Sequence, residues 1–172
     1  MSLTALLFAA LALSQSDPLA PAREDQVQCY MPNVAAKTCR AIGAYRWAAD
    51  GSITNDASVA LNAGPLVILN SATPVYVRDG GVCTRTVPAA TQTTSILVNG
   101  TALTGSAFEA ANAQVGAAVD GLYGVGTEVC TTYPTQADGT LQALVTVNGT
   151  ARPELTSPVI WVRPSDGWRV AP

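Results

Sequence analysis

Four cysteines are the side chains of this 172-residue chain with the clearest chemistry: Cys29, Cys39, Cys83 and Cys130. Outside the cytosol, an even number of cysteines usually forms disulfides. Three pairings are possible, and we favour Cys29–Cys39 with Cys83–Cys130 because the first pair closes a short loop. On loop entropy these bridges would contribute about 3 and about 4 kcal/mol. A zinc site needs closely spaced cysteines or histidines, and the chain has no histidine, so we expect no metal and no cofactor.

The C-terminal segment carries the most distinctive aromatic pattern. Asp166-Gly167 is typical of a two-residue hairpin turn. Because side chains alternate along strands, such a hairpin would place Trp161, Arg163 and Trp168 on one face, with the guanidinium between two indoles. We therefore name these three residues as a candidate ligand-binding platform for a glycan or peptide. The alternative, usual in small β domains, is that the tryptophans cover the core.

Catalysis finds little support in the residue types. Without histidine there is no Ser–His or Cys–His pair, so we assign no catalytic residue. Two carboxylates could still make a small secreted hydrolase. Glu128, in the predicted strand 127–133, is the candidate, with Asp79 or Asp120 as its partner. The two carboxylates would have to converge within about 10 Å across a cleft.

Two further motifs favour simple turns over ligand sites. Oxygen side chains at every second position of residues 50–56 suit a calcium loop, but no acidic residue follows at the spacing of a closing glutamate. Asn99-Gly100-Thr101 and Asn148-Gly149-Thr150 match glycosylation acceptors, yet Asn-Gly between strands is the strongest short hairpin signal.

Most of the elements that must position these residues are strands. Short β-type runs alternate with Asp-Gly and Asn-Gly turns from residue 40 onward. Residues 75–87 read as a hairpin closing on Asp79-Gly80-Gly81, and residues 141–147 as a strand that Asn148-Gly149 turns back. The fold class we predict is α+β: a β-rich antiparallel body of hairpins or a meander, with one amphipathic helix around 106–122.

The predicted helix has apolar residues at helical spacing. They are Phe108, Ala111, Val115, Val119 and Leu122.

Both ends of this helix carry signals of their own. Ser106 and Glu109 fit a capping box at its start, and Gly121 or Gly124 would end it.

The N-terminus predicts export. Leu3–Leu13 is almost wholly apolar, too short to span a bilayer and typical of a signal peptide, although no lysine or arginine precedes it. We predict a signal peptide over residues 1–14, a flexible linker over 15–26, and a single disulfide-stabilised β-rich domain over 27–172. A buried N-terminal helix or strand is the alternative. No integral membrane span is expected in the mature chain.

Charge excludes some partners. The net charge is −3, and Lys37 is the single lysine among scattered arginines. A nucleic-acid partner needs a basic face, so we expect none, and an anionic membrane surface is equally disfavoured.

Three segments carry a resemblance: residues 37–40 (KTCR), 79–83 (DGGVC) and 161–172 (WVRPSDGWRVAP). They resemble a group of small, uncharacterised exported proteins of alphaproteobacteria with no known activity. The resemblance implies a periplasmic or secreted protein of a Gram-negative bacterium, and it carries over no catalytic residue.

The function remains open at this level. We expect a non-catalytic exported module, binding or structural, whose partner is an unknown envelope component or glycan. The alternatives are the carboxylate hydrolase and an inhibitor of extracellular enzymes. An exposed, rigid loop between Cys29 and Cys39 would favour the inhibitor.

Overall fold

The computed structural model of this chain describes residues 17–172. The predicted signal peptide of residues 1–14 and the first two residues of the predicted linker lie outside the described residues.

Twelve strands and one α-helix lie within residues 17–172. They are β1 (Val27–Asn33), β2 (Thr38–Trp47), β3 (Ile53–Ala63), β4 (Leu66–Arg78), β5 (Gly81–Arg85), β6 (Thr93–Val98), β7 (Thr101–Ala102), α1 (Gly105–Tyr123), β8 (Glu128–Thr132), β9 (Leu141–Val147), β10 (Thr150–Ala151), β11 (Ser157–Val162) and β12 (Arg169–Val170). The predicted β-rich antiparallel body with one helix is confirmed, and strands dominate it.

Eight of these strands close into a ring. β1, β2, β3, β4, β5, β8, β9 and β11 each pair antiparallel with the next, and β11 pairs with β1. The ring order is the chain order, so the body is a meander whose last strand returns to its first. β6, β7 and α1 are inserted between β5 and β8. β12 forms a parallel pair with Thr38 and Cys39 at the start of β2, beyond the residues that pair with β3.

Turn chemistry explains how neighbouring strands are joined. Asp79 and Gly80 have φ of 51° and 73°, and Asn148 and Gly149 have φ of 47° and 77°. Positive φ at both central residues is the hairpin turn that Asp-Gly and Asn-Gly favour. The predicted hairpins at these two positions are therefore confirmed.

The helix lies where the apolar spacing predicted it, with corrections at both ends. It begins at Gly105, after Thr104, and neither cap residue is fixed by a side-chain hydrogen bond. Ser106 therefore lies inside the first turn, where it cannot act as the predicted cap. Leu122 is 43% exposed and is not on the buried face. Gly124, with a φ of 78°, ends the helix.

Residues 17–26 correct the predicted flexible linker. They contain a 3₁₀ turn at Ala20–Glu24 with a proline in its first positions. Leu19 is fully buried, and the Arg23 guanidinium lies 4.4 Å from the centre of the Trp47 ring. Proline fixes φ near the value this turn needs, and burial of Leu19 favours packing over disorder.

The structure pairs Cys29 with Cys39 and Cys83 with Cys130, the pairing favoured from the loop lengths. The first bridge spans the β1–β2 hairpin. The second joins directly opposed residues of β5 and β8, across the inserted helix. Within the described residues, no helix combines the length and apolar character needed to cross a bilayer.

Candidate functional site in the ring interior

Gln28 is the polar centre of the ring interior. It is fully buried, and β1 places it opposite Gly43 of β2 and Trp161 of β11. A Cβ at Gly43 would lie 3.1 Å from the amide nitrogen of Asn55 and 3.7 Å from Gln28 Oε1. The glycine thus makes the room in which the glutamine amide sits.

Tyrosine hydroxyls converge on this amide. Tyr30 and Tyr45 donate to Gln28 Oε1 at 2.8 and 2.7 Å. The Tyr133 hydroxyl lies 2.9 Å from that of Tyr30 and 3.4 Å from Gln28 Oε1. Within residues 17–172, Gln28 Nε2 is buried without a hydrogen-bond partner. The N–H groups of this amide, which lie among phenol hydroxyls, can therefore donate to an acceptor group of a ligand.

Burial keeps these phenols protonated. Desolvation raises the pKa of Tyr30 and of Tyr45 well above the ordinary value, and it also raises the pKa of Tyr133. Tyr123, at the end of α1, is close enough to add to the shift of Tyr30. Four of the five tyrosines of the chain therefore serve the interior as neutral hydrogen-bonding groups.

The interior is not filled. One cavity of about 180 Å³ is lined by Tyr30, Tyr45 and Tyr133, together with side chains from β3, β4, β5 and β8. A second cavity of about 240 Å³ lies between these strands and the end of α1. The two cavities have three lining residues in common, so they adjoin. These are Thr73, Thr84 and Val129.

Asp120 is the charged group of the helix-side cavity. It lies in the last turn of α1, and its Oδ1 accepts a hydrogen bond of 2.9 Å from the backbone N–H of Ala89. Its Oδ2 accepts no hydrogen bond within the described part of the chain. Tyr123 lines the same cavity.

The proposed platform of Trp161, Arg163 and Trp168 does not form. β11 ends at Val162, a 3₁₀ turn follows at Pro164–Asp166, and β12 pairs with β2 instead of β11. Pro164 fixes φ at the start of that turn, so the chain leaves β11 before Asp166-Gly167 can close a hairpin.

The three platform residues lie in different places. Trp161 faces the interior, where its ring centre lies 6.4 Å from that of Tyr45. Trp168 packs outside the ring, on the core around the Cys29–Cys39 bridge. Arg163 is exposed and its Nη1 donates to the Glu24 carbonyl at 3.4 Å.

Glu128 is held as an ion pair. Its carboxylate accepts hydrogen bonds from both terminal nitrogens of Arg78 and from the Tyr76 hydroxyl. These contacts hold its pKa below the ordinary value, which is opposite to the shift that a general acid needs.

Of the two proposed acidic partners of Glu128, Asp79 lies beside it on the shared Arg78, and Asp120 lies apart from it. Asp79 contacts the same Arg78 and is 88% exposed, while Asp120 lies in the helix-side cavity. Asp120 lines the helix-side cavity, whereas Asp79 and Glu128 line neither that cavity nor the adjoining one.

The loop closed by the Cys29–Cys39 bridge is exposed and tethered. Met31 and Val34, 56% and 67% exposed, are the two most exposed large apolar side chains of residues 17–172. The Lys37 ammonium donates to the Asp166 carbonyl at 2.8 Å, and the Arg169 N–H donates to the Lys37 carbonyl. The loop is thus exposed at Met31 and Val34 and held by hydrogen bonds at Lys37.

The motif at residues 50–56 is a turn and a strand. Asp50 accepts a hydrogen bond from the Ser52 N–H, and Asp56 in β3 pairs with Arg46. Within residues 17–172, no group of three or more acidic, cysteine or histidine side chains could hold a metal ion.

Sequence reasoning missed Gln28, Tyr30 and Tyr133. Residues 27–31 (VQCYM) offer one available signal: Gln28 is the one strongly polar side chain in a near-continuous apolar run, which is typical of a strand buried on both faces. Tyr133 joins them from 103 residues away in the chain, and no local pattern shows that contact.

Comparison with protein-family models, with curated proteins and with solved structures finds no match for this chain.

Proposed function

We propose that this chain is an exported, non-catalytic binding module that holds one small ligand inside its strand ring. The observation that carries the proposal is a pair of adjoining cavities of about 180 and 240 Å³. The first is lined by strands of the closed eight-stranded ring, and the second lies between those strands and the end of α1. Rings of eight strands are either packed full by their own side chains or hold one small ligand. Concave sites with a few convergent polar groups are the usual binding sites of proteins.

The cysteines and the N-terminus support export. All four cysteines are paired, and disulfides persist in oxidising compartments outside the cytosol. The apolar run Leu3–Leu13 and the resemblance to exported alphaproteobacterial proteins point to the periplasm or the medium of a Gram-negative cell. The ligand would then be a small envelope component, a sugar unit of a glycan included, since tyrosines offer both apolar rings and hydroxyls.

Binding to the interior can be tested with an uncharged one-ring probe, benzyl alcohol, followed by amide NMR shifts. We expect saturable shifts at Thr84, Val119 and Val129. Val129→Phe fills the helix-side cavity and should abolish them, and Thr73→Leu fills it from β4 as a second variant. Val77→Phe, at a position 41% exposed on β4, is the matched control. Shifts that survive both filling variants would contradict the proposal.

Export has its own measurement. Mass spectrometry of the protein from a cell-envelope fraction should find a chain beginning near Gln15 with all four thiols blocked. An intact Met1 with free thiols would contradict it.

Inhibition of an extracellular enzyme is a second candidate, favoured by the rigid loop that exposes Met31 and Val34. A panel of purified secreted proteases tests it. Val34→Asp should abolish any inhibition, whereas Val77→Asp should leave it unchanged, because Val77 lies outside the loop. Absence of inhibition across the panel, or inhibition that Val34→Asp leaves intact, would contradict this candidate.

A further inference from the structure

We infer that the ligand of the helix-side cavity is a small organic cation: a single ring bearing an ammonium group that pairs with Asp120. This inference rests on the proposed function, because it requires that the ring interior binds a ligand. It adds the charge and the size of that ligand.

The position of Asp120 makes it a site for a cation. One carboxylate oxygen is fixed by the Ala89 N–H at 2.9 Å, which orients the group without consuming its charge. The other oxygen accepts no hydrogen bond from residues 17–172. Asp120 also lies in the last turn of α1, where the backbone carbonyls add negative potential that favours cations.

The charge of the surroundings points the same way. Within the described residues, no lysine or arginine lines this cavity, and Asp120 is its one carboxylate. Arg152, which lies near enough to influence Tyr123, is itself paired with Glu154. Arg85 donates to the Gly126 carbonyl and lines a neighbouring depression, which shares Val87 and Gln92 with this cavity but not Asp120.

These charges rank the possible ligands. An anion in the cavity would face the Asp120 carboxylate without a compensating cation. A neutral ligand without a hydrogen-bond donor would leave a carboxylate oxygen without a partner, which is costly, and a hydroxyl would donate to that oxygen without compensating its charge. An ammonium group satisfies that oxygen with a charge-assisted hydrogen bond.

Size and lining limit the rest of the ligand to about one ring. The cavity measures about 240 Å³, whereas an engineered apolar cavity of about 150 Å³ in another protein accommodates benzene. Val119 and Val129 supply apolar walls, and the phenol ring of Tyr123 adds an aromatic group of the kind that attracts cations.

The test compares three probes of one shape on the folded mature chain: benzylammonium, benzyl alcohol and benzoate. Dissociation constants from amide NMR titrations should show benzylammonium binding at least about tenfold more tightly than benzyl alcohol. Benzoate should bind more weakly than either. In Asp120→Asn, whose remaining oxygen still accepts from the Ala89 N–H, the advantage of benzylammonium should disappear.

Asp138→Asn is the matched control. Asp138 also accepts a backbone N–H, from Thr140, but lies exposed and away from the cavity. It should keep the full preference for benzylammonium. Equal binding of benzylammonium and benzyl alcohol, or a preference that survives in Asp120→Asn, would overturn the inference and leave the ring as a binding site. If none of the three probes shifts the cavity residues, both the inference and the proposed function are overturned.

Discussion

At the scale of single residues, Gln28 organises the interior through one carbonyl oxygen. Two tyrosine hydroxyls donate to that oxygen at 2.7 and 2.8 Å, and all three groups are removed from bulk water. A hydrogen bond of this kind contributes modestly when made, but a buried donor left without its acceptor is costly.

Replacing Gln28 by methionine tests this arrangement. Gln28→Met keeps the length of the side chain but removes the acceptor of Tyr30 and Tyr45. The free energy of unfolding should fall by about 1–3 kcal/mol, because buried hydroxyls lose a partner. Denaturant unfolding followed by tryptophan fluorescence measures the change.

Gln114→Met is the control for this substitution, since Gln114 is exposed on α1. It should change the free energy of unfolding by less than about 0.5 kcal/mol. Equal effects of the two variants would show that the amide of Gln28 contributes no specific hydrogen bonding.

The buried phenols also predict sensitivity to alkali. The pKa of Tyr30 and of Tyr45 is raised in the folded chain, so above pH 10 the unfolded chain releases protons that the folded chain retains. Stability is therefore unaffected below this pH and falls as the pH rises above it. Each such tyrosine contributes a slope of about 1.4 kcal/mol per pH unit. Unfolding free energies measured between about pH 8 and about pH 11, together with tyrosinate absorbance, give this slope.

Tyr45→Phe is the companion variant for the alkaline series. It removes one ionisable group, so the slope of its unfolding free energy against pH should be smaller by about 1.4 kcal/mol per pH unit. A slope that matches the unaltered chain would mean that Tyr45 ionises equally in the folded and unfolded states.

At the scale of elements, α1 depends on one close approach. A Cβ at Gly116 would lie 2.9 Å from the Ala90 Cβ and 3.0 Å from the Ala90 backbone nitrogen. Gly116→Ala should lower the free energy of unfolding by about 1–3 kcal/mol, because the helix must move off the 3₁₀ turn at Ala89–Thr91. Thermal or denaturant unfolding measures this loss.

The same helix carries its own control. Gly121 has nothing within 4 Å of an added Cβ. Gly121→Ala should therefore stabilise the chain by up to about 1 kcal/mol through helix propensity alone. If Gly116→Ala were stabilising as well, the contact of α1 with Ala90 would not limit the packing.

The sequence predicts a turn reliably only where the residues of the turn and its two flanking strands decide its structure. Asp79-Gly80 lies between two strands of sufficient length and forms the expected hairpin. Asp166-Gly167 has the same residues but follows Pro164, and the 3₁₀ turn there sends the chain to β2. The dipeptide alone cannot distinguish these outcomes, because the second depends on which strand offers a free edge.

At the scale of the whole molecule, the two disulfides differ in what they constrain. Cys29–Cys39 closes one hairpin, with a separation of 10 residues. Cys83–Cys130 spans 47 residues and ties together the two ring strands that flank the inserted helix.

Removing each bridge in turn should reveal this difference. The double variant Cys83→Ala with Cys130→Ala should lose about 4 kcal/mol of unfolding free energy, and Cys29→Ala with Cys39→Ala about 3 kcal/mol, as loop entropy predicts. Denaturant unfolding without reductant gives both values. A larger loss on removal of the short bridge would show that loop closure in the unfolded chain is not the deciding factor.

Ring closure is the part of the fold that the sequence could not predict. Local turns join neighbouring strands of the meander, and the hairpin at 75–87 and the strands at 127–133 and 141–147 were predicted from their patterns. The pairing of Val27 with Val162, or of Tyr30 with Val159, joins the two ends of the domain and has no local signal. The interior site depends on ring closure, because closure places Trp161 opposite Gln28. Sequence reasoning that did not predict closure therefore missed the site.

The pairing of β1 with β11 also joins strands that lie far apart in the chain. The strand that closes the ring follows β1 by more than 120 residues, so β1 waits for that length of chain before its second partner exists. Contacts between distant parts of a chain slow folding, because loop entropy must be lost before they form. Under the proposed export, the chain would cross a membrane before it folds, and this delay would help: hairpins can form early, but the ring cannot close until β11 has followed. Slow closure would thus serve transport as well as architecture.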